Sequence, residues 1–430
     1  MVASEIVVEG GVPLRGSVGV VGAKNAVLQQ IISTLLCAGW HRLSNVPDIA
    51  DVRALTMVLE HLGVKCELAG RELAMVVPEQ ISVEAPLELV RTMRASILLL
   101  GPLLTRFGEA QIPMPGGDDL GARPVDMHLN GLRQMGAELE LVHGVLVGKA
   151  PKGLIGREME LPFPSVGATQ NLMMAAVMAR GDSAIVNAAR EPEIVDLGNQ
   201  LKKMGARLSG VGSPIIRIKG TRKLRPAAHR VLPDRIAAGT YAMAGAVTGG
   251  EVTITGCEPS HLRMELAKLE AAGCEVERGE GWLHVSGSSR PRAVDFATLP
   301  YPGFHTDLHP QMVAVLSVAE GTSVVTENLY DGRFRYVGEL ARMGADIYTE
   351  WQHAVVRGVD RLSGCPVVAT DIRAGAALVI AGLAAYGVTT VAGVEHIDRG
   401  YADLVADMTG LGASMERRDS DRGGLRLFGW

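Results

Sequence analysis

The hydrophobic positions along the chain repeat a pattern in which an amphipathic helical run ends at a glycine and alternating apolar residues follow. The six copies read HLGVKCEL, QMGAELEL, KMGARLSG, AAGCEVER, RMGADIYT and GLGASMER, with their glycines at Gly63, Gly136, Gly205, Gly273, Gly344 and Gly412. Successive glycines lie 68 to 73 residues apart. Because glycine readily adopts the left-handed conformation that ends a helix, each copy predicts a helix, a tight turn and a strand.

A second pattern alternates with the first: an apolar helix rich in small residues ends at a glycine and leads into a β-branched strand. Its glycines are Gly39, Gly108, Gly181, Gly249, Gly321 and Gly387. Each unit of about seventy residues therefore contains two helices and several short strands, too little to cover its own apolar helix. We expect an α/β fold in which six such units assemble around shared cores, three to a domain.

Polar residues stand where each of the six apolar helices is expected to begin. They are Lys24 and Asn25 in GAKNAV, Arg94 in TMRASI, Ser165 and Thr169 in PSVGAT, Asp234 and Arg235 in PDRIAAGT, Asp307 and His309 in HTDLHPQ, and Asp371 and Arg373 in TDIRAGA. A helix start attracts anions because its first backbone N–H groups are unpaired and its dipole is positive there. If the repeats are quasi-symmetric, the six starts form an anion site in a cleft between two domains. The alternative for any single start is ordinary helix capping.

Composition excludes several classes of protein. The 430 residues (45.5 kDa) are 47% hydrophobic, with a mean hydropathy of +0.19 and a net charge of −5. This describes a globular chain without a general counter-charge for nucleic acid. The five cysteines form no C-x-x-C pair, and the densest apolar run, ILLLGPLL, is too short to cross a bilayer. We therefore expect a cytoplasmic protein with no membrane segment and no nucleic-acid partner.

Common catalytic and metal motifs are missing from the chain. The sequence contains no G-x-S-x-G elbow, no Walker lysine motif and no G-x-G-x-x-G after a predicted strand. His305, Asp307 and His309 alternate in PGFHTDLH, but a metal site needs further ligands, and the other histidines lie in separate segments. We expect no metal site.

The segment from Met114 to Pro124, MPGGDDLGARP, combines paired glycines, two carboxylates and an arginine before a proline. This composition is typical of a loop rather than of a helix or strand. A Gly-rich loop with charged residues between apolar elements is suited to closing over a ligand and excluding water. The alternative is a solvated surface turn, but the paired carboxylates Asp118 and Asp119 beside Arg123 favour a role in proton transfer.

Ten segments of the chain resemble those of a known family in order and spacing. They read GAKNA, TMRASI, GPLLTRFG, PGGDDLGARPVDMH, PSVGAT, NAAREPEIVD, VLPDRI, FHTDL, TDIRAGA and HIDRGY. The family is that of the UDP-N-acetylglucosamine 1-carboxyvinyltransferases, the enolpyruvyl transferases that open peptidoglycan synthesis. The resemblance implies two inside-out α/β domains of three repeats each. One would comprise residues 22–231 with the mobile loop at 114–124, the other residues 1–21 plus 232–430, and the active site would lie between them.

The resemblance also implies a reaction. The enolpyruvyl group of phosphoenolpyruvate would move to the 3′-hydroxyl of UDP-N-acetylglucosamine by addition to C2, protonation of C3 and elimination of phosphate. This is the first committed step of peptidoglycan synthesis. No metal or organic cofactor is implied, and the expected partners are the two substrates. We expect the protein to be a monomer or a weak homo-oligomer.

Matching motif positions assigns roles to individual residues. The resemblance implies that Lys24, Arg94, Arg123 and Arg399 hold phosphoenolpyruvate, because the planar fork of arginine suits both its carboxylate and its phosphate. Asp307 would take the proton from the attacking hydroxyl, with helix capping as its structural alternative. Lys24, Arg399 and Asp307 are thus expected to be catalytic.

The remaining matches imply contacts to the sugar nucleotide and the intermediate. Asn25 would contact both, and Asp371 and Arg373 would support the pocket for phosphoenolpyruvate and the tetrahedral carbon. Ser165, Val166 and Gly167 are expected at the uridine diphosphate, and Arg123, Pro124 and Asp126 at the uridine end. Leu329 is also expected to bind substrate.

One departure from the family pattern concerns the loop. Asp118 stands where the family usually has cysteine, although some members have aspartate there. We hypothesise that Asp118 is the catalytic general acid that delivers a proton to C3, which requires desolvation and a nearby acid to raise its pKa when the loop closes. The epoxide fosfomycin attacks the family thiol, so we expect no covalent adduct on residues 114–124.

Other departures lie on the sugar-nucleotide side and leave the identity of the acceptor open. They are Ala237 for a usual glutamate, His305 for proline, His309 for glutamine, Leu98 for a tryptophan found in some members, and Asp331-Gly332 for Glu-Asn. A paralogous enolpyruvyl transferase for another nucleotide or sugar nucleotide is therefore one alternative. The shikimate-pathway enolpyruvyl transferase, which the loop and PSVGAT disfavour, and a UDP-sugar-binding regulator without turnover are two others.

Overall fold

Six small sheets, each backed by an apolar helix, form the framework of the protein. The computed structural model describes residues 4–91, 93–116, 121 and 124–419. Asp118 and Arg123 therefore lie outside the described residues, and nothing in the structure tests their expected roles.

The strands are β1 Ser4–Glu9, β2 Arg15–Gly19, β3 Gly39–Ser44, β4 Lys65–Ala69, β5 Glu72–Val77, β6 Glu109–Pro113, β7 Glu138–Val142, β8 Val145–Lys149, β9 Glu158–Glu160, β10 Asp182–Val186, β11 Arg207–Ser209, β12 Ile215–Lys219, β13 Ala228–Arg230, β14 Glu251–Thr255, β15 Glu275–Gly279, β16 Trp282–Ser286, β17 Phe296–Ala297, β18 Thr322–Thr326, β19 Asp346–Glu350, β20 His353–Arg357, β21 Pro366–Val368, β22 Val388–Ala392 and β23 Ser414–Asp419.

The helices are α1 Lys24–Ser33, α2 Ala50–His61, α3 Leu87–Val90, α4 Leu100–Phe107, α5 Asp126–Gln134, α6 Val166–Ala176, α7 Pro192–Lys203, α8 Arg235–Val247, α9 Arg263–Ala271, α10 His309–Leu316, α11 Val337–Arg342, α12 Ile372–Ala384, α13 Val394–Ile397 and α14 Leu404–Gly410. Short 3₁₀ helices cover Thr34–Leu36, Arg94–Leu99, Pro259–Leu262, Thr306–Leu308 and Arg333–Tyr336.

The sheets repeat one topology. Among the described residues, five sheets have four strands, in the orders β21-β22-β1-β23, β11-β12-β10-β9, β13-β3-β5-β4, β15-β16-β14-β2 and β17-β18-β20-β19. In each of them one edge strand is parallel to its neighbour and the other pairs are antiparallel. The sixth sheet, β6-β8-β7, is antiparallel, and a single parallel bridge between Glu84 and Gln111 stands where the others have a fourth strand.

The glycines of the first sequence pattern lie just after helices, whereas those of the second pattern lie between an apolar helix and the next strand, with Gly39 as the first residue of β3. Gly63, which follows α2, has a φ of +104°, and Gly412, which follows α14, has a φ of +92°. The four equivalent glycines between them have φ values from +93° to +101°. Since L side chains are strained in this conformation, the sequence must place glycine at each of these turns.

Two clusters of buried apolar side chains form the cores. One is built from residues 23–231 around α1, α4 and α6, and the other from residues 6–20 and 236–413 around α8, α10 and α12. These central helices are apolar on nearly every face, which is the pattern of a helix enclosed by its neighbours. The domain boundaries at 21/22 and 231/232 remain a prediction, which the separation of the two clusters supports.

Close packing of the central helices depends on glycine at particular positions. A Cβ on Gly239 in α8 would lie 2.4 Å from Cδ1 of Leu308, just before α10. A Cβ on Gly101 in α4 would lie 2.5 Å from the side-chain oxygen of Asn171 in α6, which accepts a hydrogen bond from the Gly101 N–H. The small residues therefore bring the starts of neighbouring helices close together. Over the described part of the chain, every helix falls short of the length and apolar character that a bilayer crossing requires.

Candidate active site

A cavity of about 400 Å³ is lined by residues from both core regions. Each of the six helix starts singled out from the sequence contributes at least one lining residue, and these include Lys24, Arg94, Ser165, Arg235, Asp307 and Arg373. The expectation that the six starts meet in one cleft is met by this arrangement. The sixfold repetition of the unit therefore brings these polar side chains to one cavity.

The lining of the cavity is cationic. Among its described residues, six cationic side chains face four carboxylates, an excess of two positive charges. The cations are Lys24, Arg94, Arg235, Arg333, Arg373 and Arg399, and the carboxylates are Asp51, Glu191, Glu193 and Asp307. Such a wall is suited to a ligand with more than one negative charge, because opposite charges in a partly dry cavity are screened less than at the surface.

Asp307 is held by three donors. Its Oδ1 lies 2.9 Å from Nη2 of Arg333, and its Oδ2 lies 3.2 Å from Nη2 of Arg373 and 3.1 Å from Nδ2 of Asn25. Burial by itself raises the pKa of this carboxyl, but Arg373, Arg333 and the bond from Asn25 outweigh burial and hold the pKa well below its usual value. Asp307 is therefore ionised at neutral pH and can accept a proton.

Helix capping, the structural alternative for Asp307, is taken by a different residue. Nδ1 of His305 accepts the hydrogen bond from the backbone N–H of Asp307 at 2.9 Å, at the start of the 3₁₀ helix Thr306–Leu308. The Asp307 side chain is consequently free of its own helix and bonded to groups in the cavity wall.

Asp51 forms a second cluster, with Lys24 and Arg399. Its Oδ2 lies 2.9 Å from Nζ of Lys24, and its Oδ1 lies 2.9 Å from Nε of Arg399. Burial raises the pKa of Asp51, but the charges of Lys24 and Arg399 more than compensate, so the pKa is lowered overall. Two cations expected to hold phosphoenolpyruvate are thus bridged by a carboxylate of the protein.

A buried ion pair closes another side of the cavity. Arg235, at the start of α8, donates to both carboxylate oxygens of Glu193 in α7, at 2.9 and 3.1 Å. Burial raises the pKa of Glu193, but Arg235 outweighs this effect and lowers the pKa overall. Beside them, burial raises the pKa of Glu191, whose Oε2 has no hydrogen-bond partner within the described residues. This region therefore joins the two cores with a desolvated charge pair.

The start of α6 lines a further part of the cavity. Ser165 caps the helix, its Oγ accepting from the N–H of Ala168 at 3.3 Å, and Val166 and Gly167 also face the cavity. His128 lies against this turn, since a Cβ on Gly167 would be 3.1 Å from its Cε1. Burial, with a smaller contribution from Arg94, lowers the pKa of His128 to about 3, so the ring is neutral. Ser165, Val166 and Gly167 are half-buried, so the first turn of α6 is partly accessible from the cavity.

Most of the residues expected from the sequence to form the site line the cavity. Those that do so are Lys24, Asn25, Arg94, Pro124, Ser165, Val166, Gly167, Asp307, Leu329, Arg373 and Arg399. Nη2 of Arg94 also donates to the carbonyl of Pro124 at 3.1 Å. Asp118 and Arg123 cannot be placed, because they lie outside the described residues.

Two expected site residues do not line the cavity. Asp371 caps α12, its Oδ1 accepting from the N–H groups of Arg373 at 2.8 Å and Ala374 at 3.0 Å. Asp371 is therefore a helix cap and not part of the cavity wall. It supports the pocket indirectly, by holding the backbone of Arg373. Asp126 is exposed in the first turn of α5.

The cavity also contains residues that the sequence reasoning missed. Asp51 begins the amphipathic run DVRALTMVLEHL and has no local feature that indicates a site, and Arg333 stands in GRFRYV, where no feature separates it from Arg335. Arg333 is 1% exposed and donates to the carbonyl of Thr306 as well as to Asp307. The sequence does not show that the segment of Arg333 packs against the segment of Asp307, so this buried arginine could be identified only in the folded chain.

His309 packs in the core among aromatic rings. His309 is fully buried, and its ring lies 5.7 Å from the Phe296 ring, 5.0 Å from the Phe334 ring and 6.0 Å from the Tyr336 ring, between centroids. It does not line the cavity, whereas His305 and Leu98 do. Across residues 4–91, 93–116, 121 and 124–419, no three His, Cys, Asp or Glu side chains are grouped so that they could hold a metal ion.

Comparison with known proteins supports an evolutionary relationship over almost the whole chain. Residues 8–408 match the family model described as EPSP synthase (3-phosphoshikimate 1-carboxyvinyltransferase). The UDP-N-acetylglucosamine 1-carboxyvinyltransferase of Anaeromyxobacter sp. strain Fw109-5 is 50% identical over 417 residues, covering 96% of this chain and 99% of the relative. That of Mycobacterium leprae is 49% identical over 415 residues, with the same coverage of both chains. The resemblance inferred from the ten segments is confirmed.

Solved structures share the fold. The enolpyruvyl transferase NikO from Streptomyces tendae has a TM-score of 0.89 and 24% identity, covering 98% of this chain and 100% of that one. EPSP synthase from Acinetobacter baumannii has a TM-score of 0.75 and 19% identity, covering 97% and 100%. The expected α/β fold class is confirmed by these matches.

Proposed function

The chain belongs to the enolpyruvyl transferase family of EPSP synthase, and we propose that it transfers the enolpyruvyl group of phosphoenolpyruvate to the 3′-hydroxyl of UDP-N-acetylglucosamine, releasing phosphate. It is a transferase of peptidoglycan synthesis. The observation that carries this function is the cavity in which all six helix starts meet around an ionised, partly exposed Asp307. Relatives with that activity are about half identical to this chain over 96% of its length.

Phosphoenolpyruvate, the donor of the enolpyruvyl group, binds at the two cations that Asp51 bridges in the structure. Phosphoenolpyruvate carries a carboxylate and a phosphate, and both can accept charge-assisted hydrogen bonds from Lys24 and Arg399. In the structure these two side chains are bonded to Asp51. A phosphate with more charge than a carboxylate displaces Asp51 from them, so donor binding rearranges this cluster. Arg94 extends the cationic wall along the cavity.

Asp307 accepts the proton of the attacking hydroxyl. Oxygen of the sugar bonds to C2 of phosphoenolpyruvate, while the hydroxyl proton passes to a carboxylate oxygen of Asp307 and C3 takes a proton. The low pKa of Asp307 guarantees the ionised form but weakens it as a base. When Arg373 also pairs with a bound anion, it stabilises the charged form of Asp307 less. The pKa of Asp307 then rises, which makes Asp307 a stronger base.

Elimination then breaks the bond from C2 to the phosphate oxygen and returns a proton from C3 to the carboxylate that the addition step leaves on Asp118, which restores the double bond in the product. The charges that develop at the phosphate and the carboxylate are stabilised by cations already in place, among them the buried Arg373. Asp118 is the proposed donor of the proton to C3. Replacing Asp118 by asparagine is expected to reduce turnover at least 100-fold with little change in sugar-nucleotide binding. Turnover within threefold of wild type would remove Asp118 from that role.

The uridine diphosphate lies along the start of α6. Ser165, Val166 and Gly167 present backbone there, and Leu329 and Pro124 border the same cavity. Asp126 is exposed in the first turn of α5, and we propose that it contacts the uridine end of the sugar nucleotide. The helix start attracts the diphosphate through its N–H groups and dipole.

Phosphate release from phosphoenolpyruvate tests the function directly. We expect release with UDP-N-acetylglucosamine to exceed release with UMP or with shikimate 3-phosphate by at least 100-fold. The first of these compounds is the proposed acceptor, the second is a nucleotide without a sugar, and the third is the acceptor named in the family description. Greater release with either of the other two would overturn the choice of acceptor, and release with none would overturn the activity.

We also propose that the protein acts in the cytoplasm as a monomer or a weak homo-oligomer. All five cysteines are unpaired thiols, which agrees with a reducing compartment. One chain supplies residues from both cores to the cavity, so a second copy is not needed to complete the part of the site that is described. Light scattering across a concentration series tests the assembly.

A further inference from the structure

His305 lines the cavity and caps the backbone N–H of Asp307, but its second ring nitrogen has no part in the proposed reaction. It lies in the cavity wall two residues before Asp307, where the related family usually has proline. The side chain is partly exposed, in contrast to the enclosed His309. A histidine in this position places a ring nitrogen in a part of the wall where proline has no polar side-chain atom.

The hydrogen bonds around His305 fix which ring nitrogen carries the proton. Nδ1 accepts from the backbone N–H of Asp307 at 2.9 Å, so it holds a lone pair and not a hydrogen. A neutral imidazole has one N–H, which must then be on Nε2. Burial, followed by the charge of Arg235, lowers the pKa of His305 to about 3, so the neutral ring is the form present at physiological pH.

The backbone of His305 is also held in place. Its N–H donates to Oε1 of Glu265 at 2.7 Å. The ring is therefore anchored at Nδ1, and the residue is anchored at its main chain. Within the described ranges, Nε2 has no hydrogen-bond partner, and it is not fully buried. A donor that is fixed in direction, reachable from outside and unused by the protein is suited to a ligand.

We infer that the Nε2–H of His305 donates a hydrogen bond to an oxygen of the acceptor sugar next to the hydroxyl that attacks. This inference rests on the proposed function, because Asp307 is what places the attacking hydroxyl in this part of the cavity. In N-acetylglucosamine the neighbours of the 3-hydroxyl are the acetamido group at C2 and the hydroxyl at C4. Each offers an acceptor oxygen, so His305 is a determinant of acceptor specificity whose partner is one of these two groups.

Two substitutions separate the two ring nitrogens. In His305→Asn the side-chain oxygen takes the place of Nδ1 and keeps the cap on Asp307, but the donor at the Nε2 position is lost. In His305→Gln the amide nitrogen reaches the Nε2 position and keeps the donor, while the cap is weakened. His309→Gln is the matched control, because it removes a histidine of the same segment that does not face the cavity.

Steady-state kinetics with UDP-N-acetylglucosamine measure the loss. For His305→Asn we expect kcat/KM for the sugar nucleotide to fall about tenfold, as for loss of one hydrogen bond that leaves a partner unpaired, with KM for phosphoenolpyruvate changed less than twofold. His305→Gln recovers at least a third of the wild-type value. His309→Gln changes the preference among acceptors less than twofold.

Two analogues identify the contacted group. UDP-glucosamine lacks the acetyl oxygen, and UDP-N-acetylgalactosamine has the 4-hydroxyl on the other face. The difference between wild type and His305→Asn disappears with whichever analogue removes the contact. The inference is overturned if His305→Asn equals wild type with all three acceptors, or if the loss falls on His305→Gln rather than on His305→Asn, which would show that only the cap matters. Failure of the proposed function is seen separately, as absence of turnover by the wild-type protein.

Discussion

The cavity holds two clusters of similar composition, each with one carboxylate between two cations. In the Asp51 cluster the side chain of Asp51 is 6% exposed, whereas those of Lys24 and Arg399 are 10% and 18% exposed. In the Asp307 cluster the order is reversed, since Asp307 is 19% exposed, Arg333 is 1% exposed and Arg373 is 5% exposed.

The reversal decides what each cluster presents to a ligand. The Asp51 cluster turns its cations toward the cavity and keeps its carboxylate behind them, so it is suited to receive an anion. The Asp307 cluster turns its carboxylate toward the cavity and keeps its cations behind it, so it is suited to accept a proton. Similar residues thus acquire different roles through burial, because the buried partner sets the charge state and the exposed partner meets the substrate.

The largest expected effect is loss of the exposed carboxylate. Asp307→Asn keeps the size of the side chain and its bond to Asn25 but removes the proton acceptor, so we expect kcat to fall about 10³-fold, within the range for general-base catalysis. Binding of UDP-N-acetylglucosamine, measured by calorimetry, should change less than fivefold. The matched control is Asp346→Asn, an exposed carboxylate that pairs with Arg357 and does not line the cavity. Activity of Asp307→Asn within tenfold of wild type would refute this assignment.

The second effect concerns the buried cation. Arg333→Met removes the partner of Asp307 and of the Thr306 carbonyl. We expect the free energy of unfolding to fall by about 3 kcal/mol, as when one member of a buried pair is removed. Arg399→Met leaves Lys24 to pair with Asp51, so it should cost less, about 1.5 kcal/mol, as for loss of a hydrogen bond to a charged group. Urea unfolding measures both, and equal losses would mean that the difference in exposure has no energetic consequence.

Sequence reasoning predicted the repeats better than it predicted these clusters. Glycines at helix ends mark each unit because their conformation is local, as at Gly63 and Gly412. The bond between Asp51 and Arg399, by contrast, joins residues 348 positions apart, and nothing in the local sequence of either indicates the other. Resemblance to a family supplied Arg399 and Asp307, but the residues behind and between them emerged only when the chain was folded.

The same reasoning explains why Asp371, an expected site residue, became a helix cap outside the cavity wall. Asp371 precedes α12 just as Asp234 precedes α8, and both carboxylates accept from the first N–H groups of their helices. Asp307 has a similar sequence setting but leaves capping to His305. Which carboxylate reaches the cavity therefore depends on a neighbouring side chain that competes for the helix start, and a pattern of Asp at helix starts cannot resolve it.

The third prediction tests whether Asp51 competes with the ligand. Asp51→Asn removes the charge that holds Lys24 and Arg399, so we expect inorganic phosphate to bind about fivefold more tightly in calorimetry. Asp48→Asn, at an exposed carboxylate paired with Arg53, is the matched control and should leave phosphate binding unchanged. Weaker binding in Asp51→Asn would show instead that Asp51 positions the two cations for the anion.

The smallest expected effect is a difference in pH dependence between the clusters. Both carboxyls have a pKa below the ordinary value, Asp307 the more strongly. Each therefore adds stability that is present above the unfolded-state pKa of about 4 and is lost as the pH falls through the lower folded-state pKa. In urea unfolding between pH 7 and pH 2, both stability gaps should begin to shrink at about pH 4, and the gap between wild type and Asp51→Asn should level off at a higher pH than the gap for Asp307→Asn. Each pH unit separating the two transitions corresponds to about 1.4 kcal/mol. If both gaps levelled off at the same pH, the two carboxylates would be equally stabilised by their cations, and the assignment of different roles would depend on exposure alone.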